Sequence, residues 1–149
     1  MSKKLIAIGS DHGGINLKAL IKTFVEGKGY EVEDFGTYDN SSCDYPDYAK
    51  KVCDAVNDGK AECGILVCGT GIGMSMAANK IKGIRAAHVT DTYSARMTKE
   101  HNNANVICLG ERITGCDLAL DIVASYLDAE FQGGRHQNRI DKFMEFEKI

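Results

Sequence analysis

Short apolar runs alternate with helical periodicity along the chain. Leu5–Ile8 is an unbroken apolar run and reads as a strand. In residues 16–29, Leu17, Leu20, Ile21 and Phe24 recur at helical spacing, and glycines close the segment. Residues 30–36 (YEVEDFG) read as a second, half-buried strand. Pro46 suits the first turn of a helix, which DYAKKVCDAV continues. Residues 64–69 (GILVCG) form a continuous apolar run, the pattern of a central parallel strand buried on both faces. A short helix over about 71–81 follows, then a fourth strand at 84–89 (IRAAHV). Thr90 or Asp91 can cap the next helix, which runs towards Lys99. Residues 105–110 (NVICLG) are a fifth strand. Thr114-x-x-Asp117 resembles a capping box opening a helix through Ala129. After Gly133-Gly134 comes a polar tail, RHQNRIDKFMEFEK.

Five strands, each followed by a helix, predict an α/β fold: a five-stranded parallel sheet with helices on both faces, a three-layer sandwich. No repeat, low-complexity segment or composition shift divides residues 1–149, which read as a single domain. Ligands of such sheets bind outside the carboxyl ends of the strands. The segments to examine are therefore SDHGG, CGTGIG, TDTYSA and GER, which follow the first, third, fourth and fifth strands.

Composition narrows the function. The net charge of −3 provides no basic field to gather nucleic acid, so an anionic ligand needs a local positive cluster. The apolar run before Gly9 is too short for a signal-peptide core, and no later run has membrane-spanning length; neither nucleic acid nor membrane is expected as a partner, and the chain reads as cytoplasmic. The six cysteines form no CxxC pair, and the histidines lack zinc spacing, so neither a structural metal nor a disulfide framework is expected. Most of these thiols read as small buried hydrophobes.

Cys68 stands apart because it precedes Gly69, Gly71 and Gly73 at a strand-to-helix junction. Free N–H groups there favour a thiolate, which can serve as nucleophile or base. The glycines let an oxyanion approach the backbone. A tight turn around an inert thiol has the same pattern. The loop lacks the dinucleotide GxGxxG spacing and the GK[ST] ending of a Walker loop. A phosphatase loop would need an arginine six positions after the cysteine, where Met74 stands. Asp11-His12 follow the first strand and suit proton transfer or sugar-hydroxyl binding, or a helix cap with a surface histidine. His101-Asn102-Asn103 ends a helix, where a histidine can complement the terminus and asparagines form turns. Arg135 and Arg139 are four apart, so a helix places them on one face; with Arg112 they could clamp an anion, or form a solvated basic face.

Taken together, GSDHGG, DYPDYA, CGTGIGMSMAANKIKGIRAA, YSARMTKEHNNANVICLGERITG and GGRHQNR occur in an order that closely resembles the family of type B ribose-5-phosphate isomerases and galactose-6-phosphate isomerase subunits, over essentially the whole chain. The resemblance implies a Rossmann-like domain that interconverts aldose and ketose phosphosugars without metal or cofactor. It also implies a homodimer or homotetramer whose sites are shared between subunits, with residues 133–149 as an arm contacting the partner. By this likeness Cys68 is the base between C2 and C1. Gly69, Thr70, Gly71, Ile72 and Gly73 stabilise the enediolate, with Thr70 relaying the hydroxyl proton. His101 is the acid that opens the furanose ring, and Asp11 and His12 face the ring oxygen or hydroxyls. Asn102 and Tyr45 contact the sugar, and Arg112, Arg135 and Arg139 hold chiefly the phosphate. The expected reaction is D-ribose 5-phosphate to D-ribulose 5-phosphate, a step of the pentose phosphate pathway. The alternatives are allose 6-phosphate or galactose 6-phosphate isomerisation, or non-catalytic phosphosugar binding.

Overall fold

The expected alternation is realised in the computed structural model, which describes residues 3–149. The elements are β1 (Leu5–Ser10), α1 (Ile15–Gly27), β2 (Glu31–Asp34), α2 (Tyr45–Asn57), β3 (Cys63–Cys68), α3 (Ile72–Ala78), β4 (Ala86–His88), α4 (Thr92–Glu100), β5 (Val106–Gly110), α5 (Cys116–Leu127) and α6 (Arg135–Met144). All strand pairs are parallel, in the order β2-β1-β3-β5-β4. The chain changes direction across β1 on reaching β3, and later doubles back to insert β5 between β3 and β4. The first reversal opens a crevice between the carboxyl ends of β1 and β3.

Strand periodicity sorts the core into two layers. Ile6, Ile8, Ile65, Val67, Ile107 and Leu109 pack against α1, α4 and α5. Ala7, Leu66, Cys68, Val106 and Cys108 pack against α2 and α3. Each fully buried Leu or Ile contributes roughly 1.5–3 kcal/mol. The second layer is lined by smaller side chains, so α2 and α3 approach closely: a Cβ at Gly64 would meet Val52 Cγ1 at 2.6 Å.

Some local expectations change. The buried stripe of α1 is Leu17, Ile21 and Val25, while Leu20 is 44% exposed. Lys18 is also buried on α1. Its ammonium donates to Asp34 Oδ1 (2.9 Å) and to the Thr37 carbonyl (2.5 Å), pinning the exit of β2 against the end of β1. No capping box forms at α5; Gly115 occupies the cap, Thr114 is buried, and the helix ends at Leu127. Asp91 does cap α4, accepting from Ser94 N at 2.6 Å. The polar tail becomes α6, which buries His136 and Ile140 and leaves Arg135 and Arg139 exposed. No helix among the described residues is long and apolar enough to cross a membrane.

Candidate active site

Cys68 ends β3, and pleating turns its side chain into the α2/α3 layer, where only 5% of the residue remains exposed. The chain then turns sharply. Gly71 adopts φ 81°, open to glycine at little cost, and its N–H donates to Cys68 Sγ at 3.1 Å. That N–H fixes the direction in which the sulfur points. Thr70 Oγ1 accepts from Ile72 N at 3.2 Å. Two of the expected cradle donors, Gly71 and Ile72, are thus spent within the loop. Among the described residues, the N–H groups of Gly69, Thr70, Gly73 and Met74 keep no protein acceptor. The Met74 side chain itself is fully buried in the core.

The loop after β5 locks this turn. Glu111 N donates to the Cys68 carbonyl (2.9 Å) and Arg112 N to the Gly69 carbonyl (3.0 Å). The Arg112 side chain lies across two glycines: a Cβ at Gly69 would stand 3.1 Å from Nη1, and one at Gly13 3.5 Å from Nη2 and 3.3 Å from Asp11 Oδ1. Glu111 also accepts from Leu17 N at 2.7 Å, tying the same loop to α1. Asp11 is 8% exposed and accepts from Gly13 N at 2.9 Å, so the cap reading holds for it. His12 Nδ1 accepts from Cys43 N at 3.2 Å; its remaining proton therefore sits on Nε2, as a donor. The Tyr45 ring covers Gly73, where a Cβ would approach Cζ to 2.8 Å. Asp11, His12, Tyr45, the 68–73 loop and Arg112 thus lie together at the carboxyl ends of β1, β3 and β5.

The other candidates lie elsewhere. His101 caps the C-terminal end of α4, and its ring stacks on that of His136, with centroids 4.2 Å apart. Asn102 is exposed beside it. Arg135 and Arg139 share an exposed face of α6 and form no ion pair among the described residues. Loss of hydration, then the neighbouring His101, Arg135 and Arg139, hold the His136 imidazole below its ordinary range. A positive cluster with no countercharge suits an anion. A helix that returns between parallel strands runs from the carboxyl edge of the sheet to the amino edge. Over α4 that is roughly 13 Å, so a single chain does not bring His101, Asn102, Arg135 and Arg139 to Cys68.

Of the remaining thiols, Cys53, Cys63 and Cys108 are buried as apolar residues, while Cys43 is half-buried and Cys116 exposed. Burial pushes Cys53 and Cys63 up to about 12, and burial together with the neighbouring thiols pushes Cys108 well above its ordinary value. No group of three His, Cys, Asp or Glu among the described residues could hold a metal ion. Sequence reasoning passed over His136, which stands inside the RHQNR motif between the two arginines. It also passed over His88, a lone histidine at the end of an otherwise apolar strand, whose Nε2 lies 2.7 Å from the Thr70 carbonyl oxygen.

Residues 6–143 match the sequence model of the family described as Ribose/Galactose Isomerase. Ribose-5-phosphate isomerase B of Clostridium thermocellum superposes with a TM-score of 0.95 at 59% identity, covering 97% of both chains. Ribose-5-phosphate isomerase B of Mycoplasma genitalium, solved with bound ribulose-5-phosphate, superposes at 0.93 with 43% identity over 99% of each chain. A D-erythrulose-4-phosphate isomerase of Pectobacterium atrosepticum is 46% identical over 144 residues, 95% of this chain and 94% of that one.

Proposed function

The chain belongs to the ribose/galactose isomerase family, and from that premise we propose that it interconverts D-ribose 5-phosphate and D-ribulose 5-phosphate through an enediolate, with Cys68 as the base. It is an aldose–ketose isomerase, as its relatives are. The observation that carries the reading is a sulfur fixed by the Gly71 N–H at 3.1 Å beside a rim of unclaimed N–H groups. The Cys68 thiolate takes the proton from C2 of the open-chain aldose. The C2–H electron pair forms the C1–C2 double bond, and the carbonyl electrons move to O1. The N–H groups of Gly69, Thr70, Gly73 and Met74 face that charge; one such donor is typically worth about 2.7–4 kcal/mol in an oxyanion hole. The Thr70 hydroxyl relays the proton between O2 and O1. Cys68 then returns its proton to C1, which leaves the ketose carbonyl at C2.

Asp11 and the Nε2–H of His12 bind the sugar hydroxyls, with Tyr45 flanking them and Arg112 beside the phosphate path. The partner subunit of a dimer or tetramer supplies His101 to open the furanose ring, Asn102 to hold the sugar, and Arg135 and Arg139 to hold the phosphate. The α6 arm crosses the interface. Two observations support a shared site: the α4 terminus lies on the far edge of its own sheet, and Arg135 and Arg139 have no countercharge among the described residues. Phosphate held remotely positions C1 and C2 against the sulfur. The reaction is that of the pentose phosphate pathway, in the cytoplasm.

Comparing kcat/KM on ribose 5-phosphate, erythrulose 4-phosphate and allose 6-phosphate tests the substrate. Ribose 5-phosphate leads by more than about tenfold, the worth of one well-placed contact. A lead for either other sugar overturns that choice, and activity on none of the three supports a binding protein. Mixing Cys68→Ala with Arg135→Ala subunits restores about a quarter of native activity if sites are shared in a dimer; inactive mixed dimers contradict the sharing.

A further inference from the structure

The Thr70–Gly71 peptide is held at both ends. Its N–H donates to Cys68 Sγ at 3.1 Å, and its carbonyl oxygen lies 2.7 Å from His88 Nε2. A carbonyl oxygen only accepts, so His88 Nε2 carries a proton and donates it. His88 ends β4, one of the two edge strands, in register with Cys108 of β5. Its ring packs beneath Gly71: a Cβ there would sit 2.8 Å from His88 Cδ2.

In a regular helical start, Met74 N would claim the Thr70 carbonyl. No such bond forms; the first backbone bond of α3 runs from Ser75 N to the Gly71 carbonyl at 3.1 Å. His88 takes the place of the helix as the partner of that carbonyl. The consequence falls on the other end of the same peptide. Rotating the peptide plane would withdraw the Gly71 N–H from the sulfur and turn a carbonyl dipole towards it. Donation at the oxygen also polarises the peptide, strengthening the bond its N–H makes.

We propose that His88 is a positioning residue for Cys68: through the Thr70–Gly71 peptide it keeps an N–H on the sulfur and so holds the thiol in the orientation in which it reacts. His88 touches no substrate atom in this scheme and acts only through the loop. The proposal rests on the reading of Cys68 as the base, and the two can be tested apart.

The test compares the native enzyme with His88→Leu, which keeps bulk but loses the donor, and His88→Gln, whose amide nitrogen reaches the Nε2 position. Two readouts are taken at one fixed pH: the rate at which iodoacetamide alkylates Cys68, followed by peptide mass spectrometry, and kcat and KM for isomerisation. In His88→Leu the alkylation rate and kcat both fall about tenfold, the size of one hydrogen bond, with KM within about twofold; His88→Gln recovers most of both. Native alkylation in His88→Leu, or equal impairment of alkylation in both variants, overturns the proposal, the second because it makes His88 a space-filler. Slowed alkylation and recovery in His88→Gln with unchanged kcat supports the link from His88 to the sulfur, and counts instead against Cys68 as the base.

Discussion

Gly110→Ala tests how tightly chemistry depends on the Cys68 loop. Gly110 ends β5, and a Cβ there would stand 2.5 Å from the Thr70 carbonyl carbon and 2.6 Å from its Cα and oxygen. Carbon atoms rest near 3.5 Å, so something must move by about 1 Å. β5 is hydrogen-bonded to β3 and β4 on either side and cannot retreat. The Thr70–Gly71 turn moves instead, and the Gly71 N–H, now 3.1 Å from Cys68 Sγ, passes beyond hydrogen-bond reach. Overpacking of this kind costs roughly 1–3 kcal/mol of stability. A displacement of about 1 Å at reacting groups costs about a hundredfold in rate. The expected result is a kcat down about a hundredfold, a KM little changed if remote arginines hold the phosphate as proposed, and a folded protein by urea titration. Gly115→Ala, where a Cβ meets open space, is the control and leaves activity native. A folded Gly110→Ala enzyme with kcat within about threefold of native would refute the reasoning, because the loop geometry would then not set the rate.

Lys18→Met removes the buried partner of Asp34, and unfolding free energy by urea titration drops by about 3 kcal/mol; an unchanged midpoint would show that the pair at 2.9 Å holds nothing. The exposed Lys50–Asp54 pair is the contrast, and Lys50→Ala leaves the midpoint where it was. His136 gives a pH dependence of definite sign. Its folded-state value is lowered from 6.5, so the unfolded chain binds the proton more readily, and stability present above that pH is lost as pH falls. The Tm advantage of native protein over His136→Gln therefore shrinks between about pH 7 and pH 5; an advantage that grows on acidification contradicts this sign.

Much of the fold was legible because buried parallel strands leave unbroken apolar runs. GILVCG and NVICLG proved to be β3 and β5, two of the three strands paired on both sides. What escaped was non-local. The strand order, with β5 inserted between β3 and β4, follows from which faces the helices cover, and no run of residues encodes it. Lys18 reads as a solvent residue until Asp34 of β2 and Thr37 of the segment after it are brought to it. The Thr114–Asp117 spacing suggested a capping box, yet Gly115 takes the cap, because Thr114 is drawn into the interior.

The candidate site divides in the same way. Residues after β1, β3 and β5 meet because strand ends meet in any parallel sheet, so Asp11, Cys68 and Arg112 could be grouped from topology. His101 and Arg135 do not join that group within the chain, and in the proposed function a second chain brings them there. The roles within the loop needed coordinates. That Gly71 serves the sulfur, and Ile72 the Thr70 hydroxyl, depends on peptide orientations that a glycine spacing does not specify. His88 left no signal beyond one polar residue closing an apolar strand.

The central claim is that Cys68 moves the proton at carbon. It is tested most directly by incubating ribose 5-phosphate in deuterium oxide with Cys68→Ala protein and following the C2 proton by NMR. The account predicts no exchange above the enzyme-free rate, while phosphosugar binding measured by calorimetry stays near native. Exchange at the native rate in that variant would contradict it and place the base on another residue.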